Sequence, residues 1–523
     1  MSIWDRVARG SVALSIGSMV SLAIASIGSI IIARTLGPEN YGLIPVIMIA
    51  PNMLMALSDL GISTAITRYA PMRGYGNPYI VTGVAIKAVT GLLASLALAL
   101  TAGYVAEALG RPYVEPYIRL VAVLVVANSI VSAVTSALIG LGSYFTSAVI
   151  QASLTTLRVI VGAGLVVAGL SVLGAVLGHV IAWSVLALVS LALLLYHVGL
   201  SGRPSLRIAR EMLAYSTPLY LPGLLGIPLG QLYYSILARV ATNWDLGNLG
   251  VAGNLMTVIG SVGGAISTSL LSSFPLLLGD RDGLSRAVER SIVYTALIMP
   301  AMAGGVIVLA EPLLLTLYGH SYSMSPLYAS LIALGVMLAP LGSYVWGAYM
   351  ASIGRTDVLL KAGILGALTG IPIYITLTLT MGVIGYIIAG ILGSLIVTTY
   401  LLTVASNNGV HVDLRTTFKM ITPTIIALTT ATPALLVPED PLVRWILAPL
   451  TYILTLAIVT PVIAGSEVLS EIAMALGRAG FIGSLIALAI NIDVRVAERI
   501  WGSNGRDKVC ASERETDKPL GEA

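Results

Sequence analysis

Fourteen stretches of the chain stay apolar over lengths near the roughly 20 helical residues that cross a bilayer core. They lie near residues 11–33, 43–66, 80–104, 118–141, 145–169, 173–198, 213–238, 249–273, 291–317, 327–350, 357–380, 383–405, 419–437 and 445–464. Ala, Leu, Ile, Val and Gly dominate these runs, with no alternation of apolar and polar positions, so the pattern predicts helices and not the strands of a β-barrel. The first run is too long for the apolar core of a cleaved leader and no small-residue cleavage site follows it. Beyond residue 464 the pattern changes. Residues 465–501 read as an amphipathic interfacial segment, with Glu467 and Glu471 on its polar face, and the apolar stretch 479–492 is short for a span. Residues 502–523 are polar and charged and are expected to be disordered.

Composition narrows the class. Hydrophobic residues make up 57% of the 523 positions and charged residues only 10%, against about 25% charged in soluble domains. Mean hydropathy is +0.95. An ordinary soluble enzyme is excluded, and a polytopic membrane protein follows. The single cysteine, Cys510, allows no internal disulfide and no cysteine metal cluster. His179, His197, His320 and His411 are too scattered for a metal-ligand spacing. Neither metal nor cofactor is expected, and no Gly-rich Lys-Ser/Thr loop for a nucleotide is present. The net charge of +4 is no nucleic-acid footprint.

Basic residues set the orientation. With the N-terminus inside, the expected inner loops hold Arg6, Arg9, Arg68, Arg73, Arg203, Arg207, Arg210, Arg281, Arg286, Arg290, Arg355, Lys361, Arg415 and Lys419, against Arg34, Arg111, Arg119, Arg239 and Arg444 outside. The bias predicts both termini in the cytoplasm and an even number of spans.

The first half of the chain echoes the second. Ile32-Ala33-Arg34 closes span one as Leu237-Ala238-Arg239 closes span seven; Ile62-Ser63-Thr64 with Pro71 recurs as Ile266-Ser267-Thr268 with Pro275; Gly142 and Gly174 recur as Gly354 and Gly385. The shared order at a near-constant spacing predicts an internal repeat. The expected architecture is all-α and integral to the membrane, with about 14 transmembrane helices. Two pseudo-symmetric six-helix lobes, 1–198 and 213–405, surround a central cavity. A cytoplasmic linker, 199–212, joins them, and 406–464 adds an extra helix pair.

Four blocks carry a family resemblance: Ala33–Gly42 (ARTLGPENYG) after span one, Leu246–Asn254 (LGNLGVAGN) entering span eight, Ala310-Glu311-Pro312-Leu313 with Leu317-Tyr318-Gly319 and Tyr322 closing span nine, and Gly354-Arg355-Thr356 after span ten. Over about residues 8–405 the chain resembles the polysaccharide-unit flippases of the multidrug/oligosaccharidyl-lipid/polysaccharide exporter superfamily. The resemblance implies a cell-membrane transporter of twelve to fourteen helices, not an enzyme. It implies a flippase moving a lipid-linked oligosaccharide, on polyprenyl or dolichyl phosphate or pyrophosphate, from the inner to the outer leaflet by alternating access. Glycan-assembly enzymes are possible partners. Relatives often carry an Asp in span seven, where this chain has Gln231-Leu232-Tyr233-Tyr234, so an ion-coupling role for that span is not carried over.

Ionisable residues inside spans are expensive and mark function by default. Arg158 falls near the middle of span five with no carboxylate at its depth, and reads either as an anion site for a headgroup phosphate or as a structural arginine. Asp59 and Lys87 lie at similar depth on spans two and three. They read as a structural ion pair, or as a site where Asp59 alternates between Lys87 and a coupling cation or proton. Lys87 also counts among the candidate phosphate contacts. Arg34 and Arg239 occupy matching outer ends and read as an anion exit or as interfacial caps. His179 reads as a packing residue or a titrating one. Pro218, Pro222 and Pro228 make span seven the candidate gating helix. Tyr374 reads as packing or as a sugar contact. The runner-up function is a cation-coupled multidrug exporter of the same superfamily, which would favour an acidic cavity. A membrane glycosyltransferase or polymerase would need clustered carboxylates and a large outer loop, and neither is visible.

Overall fold

A computed structural model describes residues 3–73, 77–198, 202–436, 443–465 and 468–471, and among them every regular element is a helix. The expected tail at 502–523 lies outside the described residues, as does all of the interfacial segment except 465 and 468–471. The helices are long because apolar runs in lipid must satisfy every backbone group internally. Among the described residues, eight helices have the length and apolarity of a span, or ten if two bent pairs each count as one.

Two of the eight, Tyr144–Tyr196 and Thr356–Asn407, run 53 and 52 residues. At 1.5 Å per residue each is more than twice the roughly 30 Å bilayer core. Each contains a reversal. Gly169 (φ 95°) and Ser171 (φ 50°) break the first, and Gly382 (φ 57°, ψ −130°) breaks the second. They are therefore spans five and six, and spans eleven and twelve. Gly174 and Gly385, matched in sequence between the halves, do the same job in each hairpin. A Cβ on Gly174 would lie 2.8 Å from the backbone of Leu165 and Val166, and one on Gly385 would run into the carbonyl of Leu377. Glycine lets the two arms meet backbone to backbone.

Span two is not the continuous run that its hydropathy suggests. Leu43–Asp59 ends with left-handed Leu60 (φ 50°) and Gly61 (φ 71°), and Ile62–Arg73 resumes after a bend of 42°. Span seven is likewise split, into Leu206–Leu224 and Ile227–Val240. Pro228 sits in the first turn of the second piece, where a missing N–H costs nothing. The side chains of Pro218 and Pro222 fall outside the described ones.

Contacts divide the chain into two units. The first comprises Met1–Val262, Leu313–Gly335 and Met350–Leu401. Its core includes Ile62, Ile66, Ile80, Val134, Leu194 and Met212. The second comprises Gly263–Pro312, Val336–Tyr349 and Leu402–Ala523. Within it Tyr452 packs with Val308, Ala427 and Ala431, and its hydroxyl donates to the Ala301 carbonyl at 2.7 Å. Leu469 is buried against Ala296, Leu297 and Met420. Glu471 accepts from Arg290 at 3.1 Å and from the Tyr294 hydroxyl.

Candidate functional site

Parts of three of the four motif blocks, Ala33–Gly42, Leu246–Asn254 and Tyr322, meet inside the first unit. The helix Ile3–Tyr41 turns at Gly37 (φ 69°, ψ 168°), and the turn brings Gly42 against the start of Asn243–Ser273. A Cβ on Gly42 would strike the Asn243 carbonyl, and one on Gly247 the Pro38 carbonyl. Two glycines thus allow a backbone contact between the first and second blocks. Side chains fasten it. Asn254 Nδ2 donates to the Tyr41 hydroxyl at 2.9 Å. Tyr322 of the third block donates to the Ala33 carbonyl at 2.7 Å. Asn248 Oδ1 accepts from the backbone N–H groups of Met324 and Ser325 at 3.1 and 2.9 Å. Sequence distance is large, yet these three blocks form one structure.

Arg158 opens from span five beside this knot. It is half-buried, and the side chains that feel its charge are Tyr41 and His179. Among the described residues no carboxylate pairs with its guanidinium and no hydrogen bond fixes it. His179 Nδ1 lies 2.9 Å from the Ala175 carbonyl, which places its proton on Nδ1 and leaves Nε2 as an acceptor. The backbones of spans five and six touch beside it, since a Cβ on Gly178 would lie 2.7 Å from the Gly162 nitrogen. A cation held without a counter-ion, flanked by a phenol and an imidazole, can take an anion bidentately and hydrogen-bond its neighbouring hydroxyls.

Lys87 is placed differently. Its side chain is 3% exposed and pairs with Asp59, 25% exposed, while the Ser63 hydroxyl donates to Asp59 Oδ1 at 2.5 Å. The structure brings Asp59 and Lys87 together and leaves Lys87 no free charge for a second anion. Arg34 and Arg239 are both exposed, and no described contact joins them. Arg239 lays its stem near Gly110, and a Cβ there would sit 3.7 Å from Arg239 Cγ. Arg68 stacks on Tyr215, its guanidinium 4.1 Å from the ring centroid, and Arg355 pairs with Asp357 at 3.0 Å.

From sequence alone Arg111 is one of the charges of the outer loops. It is 7% exposed and joins the turn after span three to the turn after span seven, with Nε donating to Asn243 Oδ1 at 2.7 Å and Nη2 to the Ala241 carbonyl at 2.7 Å. No local pattern signals this, because both partners lie about 130 residues on. In span seven, Tyr233 stacks on Tyr374 at 3.9 Å between centroids and Tyr234 meets Tyr386 edge-on. Among the described residues the buried Tyr233 hydroxyl has no hydrogen-bond partner, and it faces Gly370. Among the described residues no group of three His, Cys, Asp or Glu could hold a metal.

Comparison with known proteins places this geometry. The fold is similar to that of the lipid II flippase MurJ in an inward closed conformation, with a TM-score of 0.74, 14% identity, and cover of 86% of this chain and 98% of that one. An inward-facing multidrug resistance MATE family transporter of the MOP superfamily aligns with a TM-score of 0.65 and 16% identity over 76% of this chain and 98% of its own. A MOP superfamily transporter from Pyrococcus furiosus, described as having a binding pocket of reverse polarity, aligns with a TM-score of 0.56 and 17% identity over 76% of this chain and 95% of its own. Among curated proteins nothing matches. The model of one family, polysaccharide biosynthesis protein, matches residues 31–326. More than half the chain is matched, and the chain therefore belongs to the polysaccharide biosynthesis protein family.

Proposed function

We propose that the protein is a flippase that moves a lipid-linked oligosaccharide from the inner to the outer leaflet of the cell membrane by alternating access. Both termini lie in the cytoplasm. The lipid carrier ends in phosphate or pyrophosphate, and that anion sits on Arg158 while the glycan rides in water between the lobes 1–198 and 213–405. Span seven, with Pro218, Pro222 and Pro228, is the gating helix. Arg34 and Arg239 receive the headgroup at the outer exit. Glycan-assembly enzymes supply or consume the cargo.

The observation that carries this reading is the guanidinium of Arg158 within a span, unpaired among the described residues. Insertion scales charge about 2.5–3.5 kcal/mol for arginine at a helix centre. A residue kept for packing alone is expected to recover that cost through a carboxylate or a set of carbonyls, and the described contacts of Arg158 include neither. Membership of a polysaccharide biosynthesis family and a fold shared with a lipid II flippase support the same cargo class.

A second reading, export of amphipathic cations, has the fold shared with multidrug transporters in its favour. The two separate in one experiment. Proteoliposomes containing the protein and a fluorescent polyprenyl-phosphate oligosaccharide are exposed to a membrane-impermeant quencher. Transfer of the buried half of the label to the quenched pool supports flipping. Protein-free transfer rates, together with uptake of a cationic dye along an ion gradient, overturn it in favour of export.

A further inference from the structure

Span five carries polar and apolar residues on one side of a single helix. Ser147, Gln151, Leu154, Arg158 and Gly162 recur at three- and four-residue spacing along Tyr144–Leu165 and share that side. Ser147, Leu154 and Gly162 are buried there, Arg158 is half-buried and Gln151 is exposed. The opposite side holds Phe145, Val149 and Ile160, all exposed and apolar, as suits a surface that meets hydrocarbon. Gln151 is therefore open toward the bundle and not toward lipid, and a polar group open within the bundle faces water.

A second polar group stands at its level. Span one runs parallel to span five: a Cβ on Gly28 would lie 2.5 Å from Val159 Cγ1, and one on Gly162 would lie 3.7 Å from Ile32 Cδ1. Ser21 stands seven residues before Gly28, two turns along the same face, and this register brings it level with Gln151. Ser26 and Ser29 give their hydroxyls to carbonyls of their own helix, at 2.8 and 2.9 Å. The Ser21 hydroxyl is buried, and among the described residues it has no partner. Among them the Gln151 amide has none either; only the Gln151 backbone carbonyl is used, by Thr155 at 3.3 Å.

We propose that Gln151 contacts the sugars of the cargo and that Ser21 positions it, the two forming a subsite for the hydroxyls of a neutral glycan. The inference rests on the reading of Arg158 as the phosphate site. Seven residues separate Gln151 from Arg158, about 10 Å at 1.5 Å per residue. A sugar joined to a phosphate on Arg158, and extending toward the start of span five, comes alongside Gln151.

The chemistry of the pair selects sugar over carrier. A glutamine amide holds two donors and an acceptor on one planar group, which suits neighbouring ring hydroxyls that each donate and accept. It carries no charge, so the phosphate gains little from it. When the amide turns toward span one, its oxygen accepts from the Ser21 hydroxyl and both N–H bonds stay free for sugar oxygens. That contact also ends the isolation of a buried hydroxyl, which is unfavourable while unmatched. A glutamine kept for packing would instead be buried with Ser147 and Leu154 on its own face.

The test compares two probes on the full-length protein in lipid nanodiscs: a polyprenyl phosphate carrying a glucose disaccharide, and the bare polyprenyl phosphate. Each displaces a fluorescent polyprenyl phosphate. The wild type should prefer the glycosylated probe. Gln151→Leu should narrow that preference by roughly three- to tenfold, the worth of about one neutral hydrogen bond. Ser21→Ala should lose part of the preference, and Ser21→Thr, which keeps the hydroxyl, should restore it. Arg158→Ala should weaken both probes and keep their ratio. Should Gln151→Leu fail to fold, the two Ser21 variants decide. A wild type that holds both probes equally, or a ratio that Gln151→Leu leaves unchanged, overturns the sugar subsite and leaves the phosphate site standing. If neither probe binds the wild type, the reading of Arg158 falls and the subsite falls with it.

Discussion

Each half of the chain carries an Ile-Ser-Thr motif, Ile62-Ser63-Thr64 in the first and Ile266-Ser267-Thr268 in the second. In the first, the helix breaks just before the motif, and Ser63 donates to Asp59, which also holds the buried ammonium of Lys87. In the second, the motif lies within the unbroken helix Asn243–Ser273, and Ser267 donates to the Tyr344 carbonyl at 2.6 Å. Four residues before the serine stands Asp59 in one copy and Gly263 in the other. The glycine leaves room for an aromatic ring: a Cβ there would lie 2.7 Å from Tyr344 Cδ1. The repeat kept its serine and changed that serine's partner. One copy holds charge within the membrane and the other packs a ring, so symmetry of sequence here does not mean symmetry of chemistry.

The comparison is most sharply broken at the charge. Asp59→Ala strands Lys87, and removing one member of a buried pair costs about 3–5 kcal/mol. Denaturant unfolding in lipid nanodiscs should show that loss, and Asp59→Ala combined with Lys87→Met should recover most of it. A neutral single variant would mean that the pair is not buried in the working protein. Next comes Ser63→Ala, which removes a donor to a charged acceptor, for about 1.5–3 kcal/mol. Gly263→Ala in the other copy pushes on the Tyr344 ring, an overpacking worth about 1–3 kcal/mol. Ser267→Ala removes a neutral hydrogen bond and should cost the least, about 0.5–1.5 kcal/mol. If Ser267→Ala proves costlier than Ser63→Ala, the two serines have been assigned the wrong way round.

Much of the architecture was legible because it rests on local pattern. Apolar run length predicts the all-helical membrane architecture, and the matched Gly174 and Gly385 stand where two hairpins close backbone to backbone. The motif blocks were visible as blocks, although nothing in the sequence said that Gly42 and Gly247 would face each other's backbones. The pairing of Asp59 with Lys87 followed from equal depth on consecutive spans. What stayed hidden depends on contacts distant in sequence or on breaks that hydropathy does not register. Leu60 is apolar, so the run across 43–66 reads as one span even though its backbone turns left-handed there. Arg111 carries the same charge as any loop arginine, and only the folded chain shows it buried between two turns. The stack of Tyr233 on Tyr374 joins spans seven and eleven, and no spacing along either helix announces it.

Arg158 tests the account most directly, because a substrate-binding role and a structural one predict opposite results. Wild type and Arg158→Ala are reconstituted side by side, and both the unfolding midpoint and the rate at which a labelled polyprenyl-phosphate oligosaccharide changes leaflet are measured. The account predicts that Arg158→Ala is at least as stable as wild type, because it removes a cation whose cost within a span, about 2.5–3.5 kcal/mol, no described partner offsets, and that it loses leaflet exchange. A variant that flips at the wild-type rate, or one that loses several kcal/mol of stability, would contradict it.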